Sequence, residues 1–220
     1  MSSELFRIRV TYAKEGVAIY SSHLDVVRVW ERSLRRAGVP MVYSAGFSPR
    51  PRLQFATPLP LGHRADSELV DIWLESRVSL ESFVESVAPV LPCGFGLRSA
   101  REVALDEPAV QTQIRSAVYS VEVEWPEPRC NVERRVAKLL QADELLLERK
   151  GKPYDLRPLV EDLTIDAAGN EGWVTLSMRL AARGGATARP EAVLSALGMS
   201  EAFARFRRTR LLTESDAVAQ

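Results

Sequence analysis

Between residues 5 and 103 the hydrophobic pattern switches repeatedly between a period of two and a period near 3.6, and the order of those switches limits the folds open to the chain. Leu5–Ala13 alternates: Phe6, Ile8, Val10 and Tyr12 face one way, Arg7, Arg9 and Thr11 the other. That pattern predicts a half-buried strand, and Val17–Tyr20 reads as an extension of its sheet. Ser22 and Asp25 have capping-box spacing and open a helix that runs to Ala37 and stops at Gly38, ahead of Pro40. Its predicted buried side is Leu24, Val27, Leu34 and Ala37. Met41–Tyr43 and Leu53–Thr57 read as short strands, and Glu68–Glu75, apolar on both faces, as a central strand. Ser79–Ala88 reads as a helix and Phe95–Val103 as a strand. The order is β-α-β-β-α-β.

The second half repeats that order without repeating the sequence. Val118–Trp125 predicts a strand, Asn131–Gln141 a helix and Leu145–Arg149 a strand. Leu159–Ile165 and Trp173–Ala181 predict a hairpin across Asp166–Asn170. Pro190–Leu197, with proline in its first turn, predicts a helix, and Phe206–Leu212 a last strand. The expected fold is α+β, with tandem ferredoxin-like (βαββαβ) units on antiparallel sheets: a first domain over 1–105, a second over 114–214, and a disordered tail at 215–220. Asp106-Glu107-Pro108 is the expected linker.

Composition removes several classes of function. No run approaches the roughly 20 apolar residues of a membrane span. The first ten residues lack the basic start and apolar core of a signal peptide. Cys93, Cys130, His23 and His63 match no zinc spacing. The expectation is a cytoplasmic protein with no metal, no cofactor and no membrane partner. There is no P-loop and no dinucleotide-binding glycine pattern. The 29 basic and 29 acidic residues balance, but unevenly along the chain. Residues 1–64 carry ten Lys and Arg against four Asp and Glu, whereas 65–113 carry three against nine.

The basic excess includes one dense segment, Tyr43-Ser-Ala-Gly-Phe-Ser-Pro-Arg-Pro-Arg52. Pro49 and Pro51 stiffen it, Arg50 and Arg52 supply guanidinium forks, and Tyr43 and Phe47 supply flat surfaces. Arginine with aromatic rings is the equipment of single-stranded RNA binding. Arg28, Arg32, Arg35 and Arg36 recur at helical spacing and form a basic stripe beside it, and His63 and Arg64 add to the candidate anion site. His23, in the first turn of the helix, is the one candidate acid or base, where backbone N–H groups favour anions. Asp155 and Arg157 are expected to close a polar turn by a local ion pair. Arg205, Arg207, Arg208 and Arg210 form a second basic cluster.

Several segments resemble a known family in their order along the chain: Ser22-His-Leu-Asp25, Glu31-Arg-Ser-Leu-Arg-Arg-Ala-Gly38, Tyr43–Arg52, Phe55-Ala-Thr-Pro-Leu-Pro-Leu-Gly62, Glu68-Leu-Val-Asp71 and Lys152-Pro-Tyr-Asp-Leu-Arg-Pro158. They look like the radical SAM-linked proteins, a bacterial domain of unknown function. The resemblance implies a cytoplasmic partner of a radical SAM protein with a cobalamin-type domain. The chain has no CxxxCxxC iron–sulfur pattern, so the resemblance points to an accessory protein rather than the radical enzyme. Three functions follow as expectations: an RNA-binding or substrate-presenting accessory in RNA or translation-component modification; a scaffold that docks the radical enzyme without touching RNA; and a metal-independent ribonuclease using His23. The last draws on a weaker likeness, by element order, to CRISPR repeat-processing endonucleases, whose late glycine-rich loop is missing here.

Overall fold

The computed structural model describes residues 5–166 and 172–217. The chain divides into two compact units, Met1–Gln113 and Ile114–Gln220. Both are α+β.

In the first unit, β1 (Phe6–Lys14) leads through a 3-10 turn at Gly16–Tyr20 into α1 (His23–Arg36). Then come β2 (Leu53–Phe55), β3 (Arg64–Leu74), α2 (Leu80–Val87), β4 (Phe95–Val103) and α3 (Val110–Gln113). The strands lie in the order β2-β3-β1-β4, each pairing antiparallel. One face carries Ile8, Val10, Tyr12, Val70, Ile72 and Leu74, which pack with Val26, Trp30 and Leu34 of α1 and Phe83 and Val87 of α2. Trp30 is fully buried, edge-on to Tyr12 at 5.1 Å. Ser22 and Asp25 close the capping box.

Several local expectations are corrected. The buried stripe of α1 is Val26, Trp30, Ser33 and Leu34, while Leu24 is 63% exposed. The bulkiest apolar side chain sets the helix rotation, and Trp30 belongs to the stripe that the sequence reading left out. Val17–Tyr20 turns away from the sheet because Gly16 takes a φ of 56°. Met41 and Tyr43 make only isolated bridges, to Leu74 and Pro51.

β1 is not half-buried: Arg7 and Arg9, on its predicted solvent face, are each 4% exposed. Register explains this. Arg9 stands opposite Asp71 and Arg7 opposite Trp73. Arg9 donates to both carboxylate oxygens of Asp71, at 2.7 and 2.9 Å, and Asp71 has no exposed surface. Arg7 lies 5.5 Å from the Trp73 ring centre. The segment expected to be a linker packs here instead. Glu107 accepts from Arg101 at 3.3 Å and lies 3.2 Å from the Arg9 guanidinium, its carbonyl accepts from Arg7, and the Gln113 side chain accepts from Arg9. The buried charges attract the segment back onto the sheet, so residues 106–113 belong to the first unit.

The second unit starts at β5 (Ile114–Glu124), followed by α4 (Arg129–Gln141), β6 (Leu146–Arg149) and β7 (Lys152–Asp155). It continues through β8 (Val160–Ile165), β9 (Trp173–Arg183), β10 (Ala186–Thr187), α5 (Pro190–Ala196), β11 (Ala204–Thr213) and a last helical turn, α6 (Glu214–Ala217). β9 and β11 flank β5, and β8 and β10 pair with β9, all antiparallel. Among the described residues β6 and β7 pair only with each other. Leu145–Arg149 is therefore no strand of the main sheet; β8 takes that place after α4.

Asp155 and Arg157 make no ion pair. Asp155 accepts the backbone N–H groups of Leu145 and Arg157, and the Arg157 guanidinium caps the carbonyls of Leu140 and Val160. The expected tail forms α6 at Glu214–Ala217, where Asp216 accepts from the Thr213 hydroxyl and N–H. Residues 218–220 of the expected tail, and residues 167–171, which include most of the expected hairpin connection, lie outside the described residues.

Removing Asp71 leaves two buried guanidinium groups without their one fully buried carboxylate, and Arg9 with Glu107 alone. Asp71→Ala is expected to lower unfolding free energy in urea by about 3–5 kcal/mol. The double variant Arg9→Met/Asp71→Leu, which replaces the pair by apolar side chains, is expected to be less destabilised than Asp71→Ala. Equal losses in the two variants would contradict a charge-pair origin.

Candidate nucleic-acid interface

α1 packs on the sheet through one stripe and turns the opposite side to solvent. Arg28, Arg32, Arg35 and Arg36 occupy that side and are all exposed. Arg28 is 3.3 Å from Asp25, an i,i+3 pair with both side chains more than half exposed. The Asp25 carboxyl is held below its usual range, first by the Ser22 hydroxyl, then by the Ser22 N–H and the Arg28 charge. Such exposed pairs contribute about 0–1 kcal/mol and release easily. Among the described residues Arg32, Arg35, Arg36 and Arg50 have no ion-pair partner. Arg35 and Arg36 also sit in the last helical turn, where the helix dipole favours cations.

Only five residues separate Arg36 from Val42, so helix end and loop base lie within roughly 20 Å of each other. The loop is closed by its own backbone: the Ser44 N–H donates to the Arg50 carbonyl, the Arg50 N–H to the Ser44 hydroxyl, and the Arg52 N–H to the Val42 carbonyl at 2.7 Å. It is anchored to β3 by the Val42 N–H on the Trp73 carbonyl and the Trp73 N–H on the Arg52 carbonyl. The Arg52 guanidinium lies 4.5 Å from the Trp73 ring centre, on a ring that also meets Arg7. At the tip, Phe47 is fully exposed, and Tyr43 is 40% exposed. A phenyl ring held wholly in water gains about 1.5–3 kcal/mol when a ligand covers it.

Not every sequence candidate joins this surface. His63 is only 2% exposed, so it offers no face to a ligand. Arg64 is held by Glu15 at 2.8 Å and Asp66 at 3.8 Å. His23 is half-buried, with its ring edge-on to Phe55 at 5.6 Å, which is a packing role. In the second unit Arg208 is buried, whereas Arg205 stacks over Trp173 at 4.9 Å, so that basic cluster is split between two environments.

The charge group that sequence reading missed is Arg7, Arg9, Asp71 and Glu107. A signal was present: Asp71 stands in a strand apolar on both faces, where a carboxylate needs a cation. Burial is the largest single influence on Glu107 and raises its pKa. Hydrogen bonds from Arg101 and Gln113 and the charge of Arg9 together outweigh it, so the carboxyl sits below the usual glutamate range. A folded-state pKa below the unfolded one stabilises the protein above the unfolded value, and the benefit is lost as pH falls through the folded value. Acid titration of stability is therefore expected to be steeper for wild type than for Glu107→Gln below about pH 4.3. Superimposable profiles in that range would contradict the assignment.

In fold the chain is similar to chains of two solved complexes. One is in the crystal structure of a Cbf5-Nop10-Gar1 complex (TM-score 0.54, 10% identity, 94% of this chain and 50% of that one). The other is in the structure of an H/ACA RNP bound to a substrate RNA containing 2'-deoxyuridine (TM-score 0.52, 10% identity, 94% and 49%). The chain thus spans about half the length of these solved chains. No curated protein matches the sequence significantly. A family model described as "Uncharacterized protein conserved in bacteria (DUF2344)" matches residues 7–190, and the chain belongs to that family.

Proposed function

We propose that the protein is an RNA-binding accessory that presents RNA, or an RNA-containing translation component, to a radical SAM enzyme of the cobalamin type. The observation that carries the RNA part is the loop tip: a fully exposed Phe47 three residues before Arg50, on a closed loop whose base at Val42 follows closely in sequence on the helix end that bears Arg35 and Arg36. A rigid loop with a bare aromatic ring suits an unstacked base, and unpaired guanidinium groups suit its phosphates. The fold likeness to a chain of an H/ACA RNP bound to a substrate RNA supports the same direction. We also read each unit as ferredoxin-like: the first has strand order β2-β3-β1-β4, and in the second β8-β9-β5-β11 is the equivalent order.

The partner enzyme rests on the resemblance of the quoted segments to the radical SAM-linked proteins. A surface for a protein partner is available. Val17, Tyr20, Leu24 and Leu61 are each more than 60% exposed, and the Gly62 N–H bonded to the Ile19 carbonyl keeps Leu61 beside the Gly16–Tyr20 turn. This observation favours the scaffold reading as the second one, with the enzyme docked and no RNA bound.

Fluorescence anisotropy with a labelled single-stranded RNA between 50 and 200 mM salt separates the two readings. The first predicts binding that weakens steeply with salt. It also predicts a loss of about 1–3 kcal/mol of binding for Phe47→Ala, the range for a base stacked on an aromatic ring. Co-purification of the radical enzyme with no RNA affinity at the lowest salt would leave only the scaffold.

A further inference from the structure

We infer that the β6–β7 ribbon of the second unit is a separate contact for the RNA phosphate backbone, resting on the RNA-binding reading above. The ribbon lies between α4 and β8 in the chain and, among the described residues, pairs with no other strand. It stands in solvent along most of its length. Arg149 pairs across to Lys152, so the connection is the two residues Lys150 and Gly151. Their φ angles are 53° and 74°. Two positive φ values at the centre of a two-residue turn define the type I′ hairpin, whose first position favours Asn, Asp or Gly. A lysine there is strained. A ribbon shaped only to turn would carry one of the favoured residues; this one accepts strain and places an ammonium at its outermost point.

The charge arrangement points the same way. Arg149, Lys150 and Lys152 are exposed within four residues, and among the described residues none of them pairs with a carboxylate. Two of the chain's four lysines stand here, at a tip where like charges repel each other. Lysine is a mobile point charge suited to phosphate, whereas the forked arginine suits planar, two-point recognition. The ribbon is also braced at its root. Asp155 ties the N–H groups of Leu145 and Arg157, and Arg157 is fastened to the carbonyls of Leu140 and Val160. A braced arm whose tip cations form no ion pair among the described residues, with Arg149 donating only to the Thr187 carbonyl, engages a polyanion without reading its sequence.

The test uses the full chain and a labelled RNA hairpin with a single-stranded tail, with log affinity followed against log salt concentration. Lys150→Asn/Lys152→Ala removes two charges while Asn keeps the turn. Arg134→Ala/Lys138→Ala removes two exposed charges from α4 and controls for net charge. Loss of two phosphate contacts is expected to make the salt slope shallower by about 1.4–1.8 in the ribbon variant, with several-fold weaker binding on every sequence tried. The control variant is expected to keep the wild-type slope, and neither variant to melt below wild type. A wild-type slope in the ribbon variant, or an equal change in the control, overturns the inference. A ribbon variant that binds RNA normally but no longer retains the radical enzyme overturns it in favour of an acidic protein partner. If Phe47→Ala weakens binding while the ribbon variant does not, the loop reading stands and the ribbon falls. If wild type shows no salt-dependent binding, both fall.

Discussion

The carboxylate of Asp71, with no exposed surface, is the fixed point of the first unit. An ionised group in such a place is tolerated only when another charge and several hydrogen bonds replace its water. The Arg9 fork supplies both, from directly across the β1–β3 ladder. The rest follows from neighbourhood. Arg7 lies beside Trp73, and Trp73 in turn stacks with Arg52, the last residue of the exposed loop. Glu107 completes the set and draws residues 106–113 onto the sheet. The loop proposed to hold RNA is thus seated on a rigid element, because β3 is pinned by charge on one face and by the apolar core on the other.

The same network accounts for much of the charge asymmetry along the chain. Part of the basic excess of residues 1–64 is consumed internally: Arg9 and Arg7 meet Asp71 and Glu107, and Arg64 meets Glu15 and Asp66. What remains on the surface is a smaller and better-defined set, the solvent side of α1 and the loop tip. Partition by burial therefore separates structural arginines from those available to a ligand, a distinction that net charge hides.

Strands with a clean period of two, such as Val118–Trp125, and the capped helices were legible in the sequence because their local patterns determine them. The sense of β1 was legible only in part. Alternation showed which residues share a face, but the burial of Arg7 and Arg9 depends on a partner 62 residues away from Arg9. The α1 stripe was misplaced because Leu24 and Trp30 compete for the core and shape, not hydropathy, decides between them. Leu145–Arg149 reads as a strand in either setting; whether it joins the main sheet or folds back on Lys152–Asp155 is settled by long-range pairing. At the candidate site the composition of Tyr43–Arg52 was legible, since proline, arginine and aromatic residues act through local chemistry. The withdrawal of His63 into the interior was not, because polar turn residues carry no burial signal of their own.

The proposed function stands or falls with the stacking of an RNA base on the exposed ring of Phe47. Photo-cross-linking with RNA carrying 5-iodouridine, followed by mass-spectrometric mapping of the modified peptides, tests it most directly. Cross-links are expected to concentrate on the peptide containing Tyr43 and Phe47 and to be lost at high salt. Cross-links confined to other surfaces, or none at all with RNA in excess, would contradict it.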